Sequence, residues 1–210
     1  MLWSVAVLSC SHSTQDNRAV YVLLDRSGTY AKEFDKVMSA TKLLLSKMEP
    51  GDSLALARMD NENVSEQDKV MSVTFSSRPS QTNSEKRAVL KAVEQLAGEI
   101  RVGSYTDITG GMLQAMSWLN ASGAGKKLII VFSDFPDEPR EGYMREFPVN
   151  FNGTQVMVWN ITPAEPAAGV ALTESQSFSE RAESWQKRVV AGGGNWQLVN
   201  DAAEINFWFH

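Results

Sequence analysis

The chain has 210 residues, of which 43% are hydrophobic and 21% are charged, and its net charge is −5 at pH 7. This length and composition are typical of one well-packed globular domain and are short for two. The negative charge, without any cluster of Lys and Arg, argues against nucleic acid as a partner.

Cysteine and histidine are almost absent from the chain. Cys10 is the single cysteine, so an internal disulfide is excluded, and the two histidines, His12 and His210, lie near the ends of the sequence. Catalytic triads, Cys–His pairs and histidine-rich zinc sites all need histidine inside the fold. The composition therefore argues against an enzyme of any of these kinds.

The first ten residues form an apolar run that ends in Cys10. The run resembles the end of a bacterial lipoprotein signal, in which the cysteine is lipidated and becomes the mature N-terminus. Against this, no basic segment precedes the run, its apolar core is short, and Leu8 is bulky for its position. The alternative is an apolar segment with Cys10 as a small buried hydrophobe. We therefore divide the sequence into an N-terminal segment and tether, 1–18, and a domain, 19–210.

The first half of the domain begins with an apolar stretch, 19–24, that is rich in β-branched residues and predicts a strand covered on both faces. Apolar residues at spacings of three and four then predict a helix over 30–48. Strands are predicted over 53–59 and 70–75. The polar connector between them is shorter than a parallel crossover requires, so we expect the third strand to be an antiparallel edge strand.

The second half continues the alternation of helices and strands. Helices are predicted over 84–100, with Ser84 as its cap, and over 112–119, after a loop in which Asp107 is expected to cap the helix. The further predicted elements are strands at 127–132, 155–161 and 196–199, a helix at 178–190, a short helix near 141–147 and a terminal helix within 201–209. This order predicts a single α/β domain with a doubly wound, mainly parallel six-stranded sheet and helices on both faces.

Oxygen-bearing side chains follow the first strand at alternate positions. Asp25, Ser27 and Thr29 occupy a strand-to-helix turn that Gly28 loosens, so their oxygens can converge on one point. A hard cation such as Mg²⁺ prefers oxygen ligands of this kind. Helix capping by the same short side chains is the alternative explanation.

More oxygen side chains are expected at the same end of the sheet. Doubly wound sheets bind ligands at the carboxyl ends of their strands, where the strand order reverses. With the common order 3-2-1-4-5-6, Asp134 after the fourth strand would lie beside Asp25. The loop that carries Thr106 enters a helix at the same end. Two adjacent carboxylates without a cation would repel each other, so Mg²⁺ or Ca²⁺ is expected between them.

In combination, these residues resemble the metal-ion-dependent adhesion site of the von Willebrand factor A domain family, also called integrin I-like domains. That family has D-x-S-x-S/T after the first strand, a Thr in a later loop and an Asp after the fourth strand. The matching residues in this chain are Asp25, Ser27, Thr29, Thr106 and Asp134. Thr29 stands where Ser is usual, and Phe135 stands where Gly is common. The resemblance extends from about Ala19 to about Val199.

The resemblance implies a non-enzymatic protein-binding module. Hydroxyls and water would bind Mg²⁺, or Ca²⁺ or Mn²⁺, directly. Some of the carboxylates would contact these ligands and not the ion itself. The ion would then keep an open position for an acidic residue of a partner protein. Together with a lipidated Cys10, this implies a membrane-anchored protein of the cell envelope that faces the periplasm, and a cytoplasmic protein is the alternative.

Two other functions are compatible with the same residues. One is a Mg²⁺-dependent phosphoryl-transfer hydrolase with Asp25 as nucleophile, as in haloacid dehalogenase-like phosphatases. Those enzymes have D-x-D, whereas this chain has Ser27 at the second position and no lysine in an obvious motif. The other is a metal-free structural scaffold in which the hydroxyls only cap helices.

Overall fold

Six strands form one sheet in the residues described by the structure, a computed structural model that covers 17–25, 30–59, 69–98, 107–133, 135, 148–160 and 178–210. The strands are β1 (Arg18–Leu24), β2 (Ser53–Arg58), β3 (Lys69–Thr74), β4 (Lys126–Ser133), β5 (Gln155–Asn160) and β6 (Asn195–Val199). Their order is β3-β2-β1-β4-β5-β6. Every neighbouring pair is parallel except β2 and β3. The predicted fold class and the antiparallel edge strand are confirmed.

Helices cover both faces of this sheet. They are α1 (Tyr30–Lys47), α2 (Pro79–Gly98), α3 (Ile108–Ala121), α4 (Phe178–Ala191) and α5 (Asn206–Phe209), and a 3-10 helix (Ala202–Ile205) leads into α5. None of the helices in the described ranges is both long and apolar enough to cross a membrane. The short helix predicted near 141–147 lies outside the described residues.

The start of α2 differs from the prediction. The helix begins at Pro79, five residues before Ser84, and proline is well suited to a first helical position because its missing N–H is not needed there. Ser76 lies before the helix, where its Oγ accepts a bond from the backbone N–H of Arg78 (3.2 Å). The expectation that Ser84 caps α2 is therefore wrong.

The start of α3 also differs, because the helix begins at Ile108 and not at Met112. Two glycines in its first turn are poor helix formers, which made the sequence resemble a loop. Packing explains their presence, since a Cβ on Gly111 would lie 3.2 Å from Met59 and 3.3 Å from Leu23. The glycine lets the helix approach the sheet closely.

The strand β1 separates two hydrophobic clusters. From Ala19 to Leu24 no residue is more than 3% exposed. Val20, Val22 and Leu24 pack into the cluster beneath α1 and α2, whereas alternate residues such as Tyr21 face α3 and α4. A strand buried on both faces has no polar alternation, and this explains the continuous apolar run in the sequence.

Phe135 is buried close to the end of β4. Its side chain is fully buried, and its φ of 56° lies in the left-handed region. The ring lies among three aromatic rings, with centroid distances of 6.1 Å to Trp185, 6.0 Å to Trp196 and 6.3 Å to Phe178. Burial of this ring holds the chain in a backbone conformation that side chains usually avoid.

Two replacements of Phe135 measure separately how ring packing and backbone strain contribute to the free energy of unfolding. We expect Phe135→Ala to lower the free energy of unfolding by about 3–5 kcal/mol, because a buried aromatic ring is lost. Phe135→Gly loses the same ring but tolerates positive φ, so it should be about 1 kcal/mol more stable than the alanine variant. Urea unfolding followed by circular dichroism measures both differences.

Phe207→Ala is the matched control for this comparison, because Phe207 is 76% exposed. Its effect should stay within about 0.5 kcal/mol. An alanine variant at position 135 as stable as the wild type would show that burial of the ring does not stabilise the fold. A glycine variant less stable than the alanine variant would contradict the strain argument.

Candidate functional site

Asp25 lies at the carboxyl end of β1, between the two neighbouring strands. Its backbone N–H donates to the carbonyl of Phe132 in β4 (3.0 Å), and the N–H of Met59, just after β2, donates to the carbonyl of Leu24 (3.1 Å). The strand order reverses between β1 and β4. Asp25 therefore stands at the topological switch point, where open α/β sheets bind their ligands.

The carboxylate of Asp25 is held by a buried serine. Ser133 Oγ donates to Asp25 Oδ2 at 2.7 Å, and both residues are 1% exposed. The same Oγ accepts a bond from the backbone N–H of Phe135 at 2.9 Å. Because a hydroxyl has one proton, that bond from Phe135 directs the Ser133 proton toward the carboxylate. The end of β4 thereby sets the orientation of a side chain on β1.

Sequence reasoning did not assign a role to Ser133. The residue ends the apolar run of β4 and directly precedes Asp134. A hydroxyl at the end of a fully buried strand needs a hydrogen-bond partner, and this was the signal that could have identified it. Its partner could not be named before the register of β1 and β4 was known.

Asp107 caps α3, as predicted. Its side chain accepts a bond from the backbone N–H of Gly110 (2.8 Å), and its own N–H donates to the carbonyl of Met59 (3.1 Å). The second bond fixes the start of α3 beside the carboxyl end of β2.

A cationic side chain also holds the first turn of α3. Arg188 of α4 donates from Nη2 to Thr109 Oγ1 at 3.2 Å, and its guanidinium lies 4.0 Å from the ring centroid of Trp185. Thr109 is buried. This contact joins α4 to the first turn of α3. Nothing in the sequence indicated it, since the two residues are 79 positions apart.

The five residues expected to bind a metal are not equally placed. Asp25 lies at the edge described above. The other four, together with the lipidation candidate Cys10, lie outside the described residues; they are Ser27, Thr29, Thr106 and Asp134. At this edge the structure describes Asp25 and three residues that are sequence neighbours of Thr106 and Asp134. Asp107 follows Thr106 in the sequence, and Ser133 and Phe135 lie on either side of Asp134.

The described donors fit a hard cation in part. Within the described ranges, no group of three or more His, Cys, Asp or Glu side chains lies together. Asp25 offers a buried carboxylate whose orientation is fixed by a second residue. Such support behind a ligand is typical of metal sites in proteins, and carboxylate and hydroxyl oxygens suit Mg²⁺ and Ca²⁺.

Comparison with known proteins gives matches among solved structures. No protein-family model matches the chain, and neither does any curated protein. The pilus adhesin SpaC from Lactobacillus rhamnosus GG aligns with 92% of the chain at a TM-score of 0.56 and 14% identity, and 29% of SpaC is covered.

Two further structures cover 92% of the chain. A von Willebrand factor type A protein from Catenulispora acidiphila has a TM-score of 0.53 and 14% identity, with 41% of its own length covered. An aerotolerance-related membrane protein from Bacteroides fragilis has a TM-score of 0.55 and 17% identity, with 98% of its length covered. At such identities the likeness concerns the fold alone. The chain has the von Willebrand factor A fold.

Proposed function

We propose that this chain is a non-enzymatic protein-binding module that uses a bound divalent cation to capture an acidic group of a partner protein. The cation is Mg²⁺, or Ca²⁺ or Mn²⁺, and its proposed binding residues are Asp25, Ser27, Thr29, Thr106 and Asp134. The observation that carries the proposal is the buried carboxylate of Asp25 at the switch point, held by the hydroxyl of Ser133.

The chemistry of the donors supports binding through the ion. Three of the five proposed ligands, Ser27, Thr29 and Thr106, are neutral hydroxyls. A cation held mainly by neutral oxygens keeps much of its positive charge, which an all-carboxylate set would cancel. Such an ion attracts a further carboxylate, and the acidic side chain of a partner protein supplies one.

The structural neighbours support a binding role and a place in the cell envelope. One of them is named a pilus adhesin and another an aerotolerance-related membrane protein. The chain covers less than a third of the adhesin, so the activity of that whole protein is not transferred. We propose an envelope location facing the periplasm, with lipidated Cys10 as the membrane tether.

Removal of the Asp25 charge tests the metal site. We expect Asp25→Asn, which keeps the size of the side chain and an acceptor for Ser133, to weaken Mg²⁺ binding by about 100-fold, because an anionic donor is lost. Isothermal titration of the purified chain with Mg²⁺, Mn²⁺ and Ca²⁺ measures this. Asp201→Asn is the matched control, since Asp201 caps the 3-10 helix and asparagine caps equally well.

Two results would contradict this proposal. In the first, none of the three ions binds, or Asp25→Asn leaves their binding unchanged. Either outcome would favour the metal-free scaffold. The second is Mg²⁺-dependent turnover of a generic phosphate ester that Asp25→Asn abolishes, and it would replace the binding module with a hydrolase.

Ser133 is expected to act on the metal through Asp25. Ser133→Ala removes the donor to Asp25 Oδ2 and should weaken Mg²⁺ affinity by about 10- to 100-fold, the usual effect of losing a partner behind a ligand. It should also cost about 1–3 kcal/mol of stability, because the buried carboxylate loses one hydrogen-bond donor. Titration at a temperature where the variant is fully folded separates the two effects.

Thr154→Ala serves as the control for loss of a buried hydroxyl elsewhere. Thr154 is 1% exposed and precedes the amino end of β5, at the opposite edge of the sheet. Its replacement should leave Mg²⁺ affinity unchanged. Equal metal affinity in Ser133→Ala and the wild type would show that the bond to Asp25 serves only the fold.

A further inference from the structure

A groove of about 400 Å³ lies at the other end of the sheet from Asp25. It is lined by the first residues of β4, β5 and β6 and by two aromatic residues of α5. Its lining includes Lys126, Gln155, Asn195, Gln197, Phe207 and Trp208. Because β1, β4, β5 and β6 are parallel, their amino ends face away from the edge that carries Asp25. The groove is therefore separate from the proposed metal site.

The strand register places polar side chains in a row across the groove. Gln155 pairs directly with Asn195, and Leu128 pairs with Gln155, so Lys126 lies one diagonal step from Gln155 on the same face. Gln197 follows Asn195 on that face, since alternate residues of a strand share one side. Neighbouring strands are about 4.8 Å apart. The row therefore extends about 12 Å from Lys126 to Asn195, because it crosses two strand spacings and shifts by two residues along the strands.

The amides in this row are weakly engaged within the protein. Gln155 Nε2 donates to the carbonyl of Val156 at 3.4 Å, and Asn195 Nδ2 donates to the carbonyl of Gly153 at 3.4 Å. Both distances exceed the usual range for such bonds. Each amide carries two donors and an acceptor. A ligand can therefore bond to these groups with little loss of hydrogen-bond energy within the protein.

The aromatic side chains stand above the row on a fixed support. Phe207 is 76% exposed, and Trp208 is half-buried with its ring against Phe209 at a centroid distance of 4.9 Å. Phe209 is buried, and the guanidinium of Arg18 lies 5.2 Å from its ring centroid. This contact fixes α5 to β1. An exposed ring on a rigid support can bind a ligand with little loss of conformational entropy.

Charge is distributed unevenly along the groove. Lys126, at one end of the row, is exposed. At the other end Gln197 Nε2 donates to Glu204 Oε2 at 3.3 Å. The backbone N–H of Asn200 donates to Glu204 and lowers the pKa of its carboxyl, so Glu204 is ionised at neutral pH. An anionic group in the groove would therefore be repelled at the Glu204 end and attracted to Lys126.

We propose that this groove binds a saccharide that carries a carboxylate, such as a uronic acid unit. Sugar hydroxyls donate and accept side by side, which matches a row of amides, and the C–H face of a sugar ring packs against an exposed aromatic ring. The sugar carboxylate lies against Lys126. An acidic peptide fits less well, because its carboxyl-bearing side chains have no apolar ring face to pack against Phe207 and Trp208.

Titration with matched oligosaccharides tests this proposal. The purified chain is titrated by calorimetry with a galacturonic acid trimer and with a neutral galactose trimer, both in the presence of EDTA. We expect the acidic trimer to bind about three- to fivefold more tightly, the effect of one exposed charge pair. Lys126→Gln should abolish that preference, and Phe207→Ala should weaken both sugars by about five- to tenfold. Lys91→Gln, an exposed lysine on α2, is the matched control.

Several outcomes would overturn the proposal. Absence of binding of the acidic trimer at millimolar concentration would remove it, and so would equal binding of the two trimers. A glutamate hexapeptide that binds more tightly, with the same dependence on Lys126, would make the groove a peptide site. Because EDTA removes any divalent cation, these results do not depend on the proposed metal site.

Discussion

The buried carboxylate of Asp25 is the constraint on which the carboxyl edge of this sheet depends. A charge without partners is very costly to bury, and Asp25 follows a strand whose apolar residues are at most 3% exposed. The structure meets this cost with a hydroxyl from the next strand, since Ser133 donates to Asp25 while Phe135 donates to Ser133. The pairing of β1 with β4 and the backbone position of Phe135 are thus linked through one polar group. A side chain held this firmly is already oriented for a ligand, which reduces the entropy that binding would cost.

Phe135 shows how a large residue can occupy a backbone conformation that favours glycine. The left-handed conformation of Phe135 costs about 1–2 kcal/mol for a residue with a side chain. Full burial of a phenylalanine ring contributes about 1.5–3 kcal/mol, and the contacts with Trp185, Trp196 and Phe178 add to this. Burial therefore offsets the strain. Glycine would supply backbone freedom at this position, whereas phenylalanine supplies a buried ring that joins the aromatic cluster.

Much of the fold could be predicted because its signals are local and strong. A strand buried on both faces has a continuous apolar sequence, and a short polar connector cannot support a parallel crossover, so the sheet and its antiparallel edge strand followed. The start of α2 could not be predicted, because its first turn has no apolar periodicity and is set by Pro79 and Ser76. The start of α3 depends on the packing of Gly111 against Leu23 and Met59, which are distant in the sequence. The candidate site was predictable to the same extent. Asp25 and the cap Asp107 could be recognised in the sequence, because one ends a strand and the other begins a helix. The roles of Ser133 and Arg188 could not, because their partners lie 108 and 79 positions away.

The two ends of the parallel sheet differ in chemistry for a reason that lies in the strands themselves. At the carboxyl edge the strands end in short polar side chains, such as Asp25 and Ser133, that are buried against each other and suit a small hard ion. At the amino edge β4, β5 and β6 begin with longer side chains, a lysine and carboxamides, that remain partly in water beside exposed aromatic rings. A strand of six residues separates these edges by about 20 Å, and the interaction between two charges weakens with distance and with the water that surrounds the amino edge. A ligand at one end therefore has little direct electrostatic influence on the other, and one domain of this size can carry two recognition surfaces that act independently.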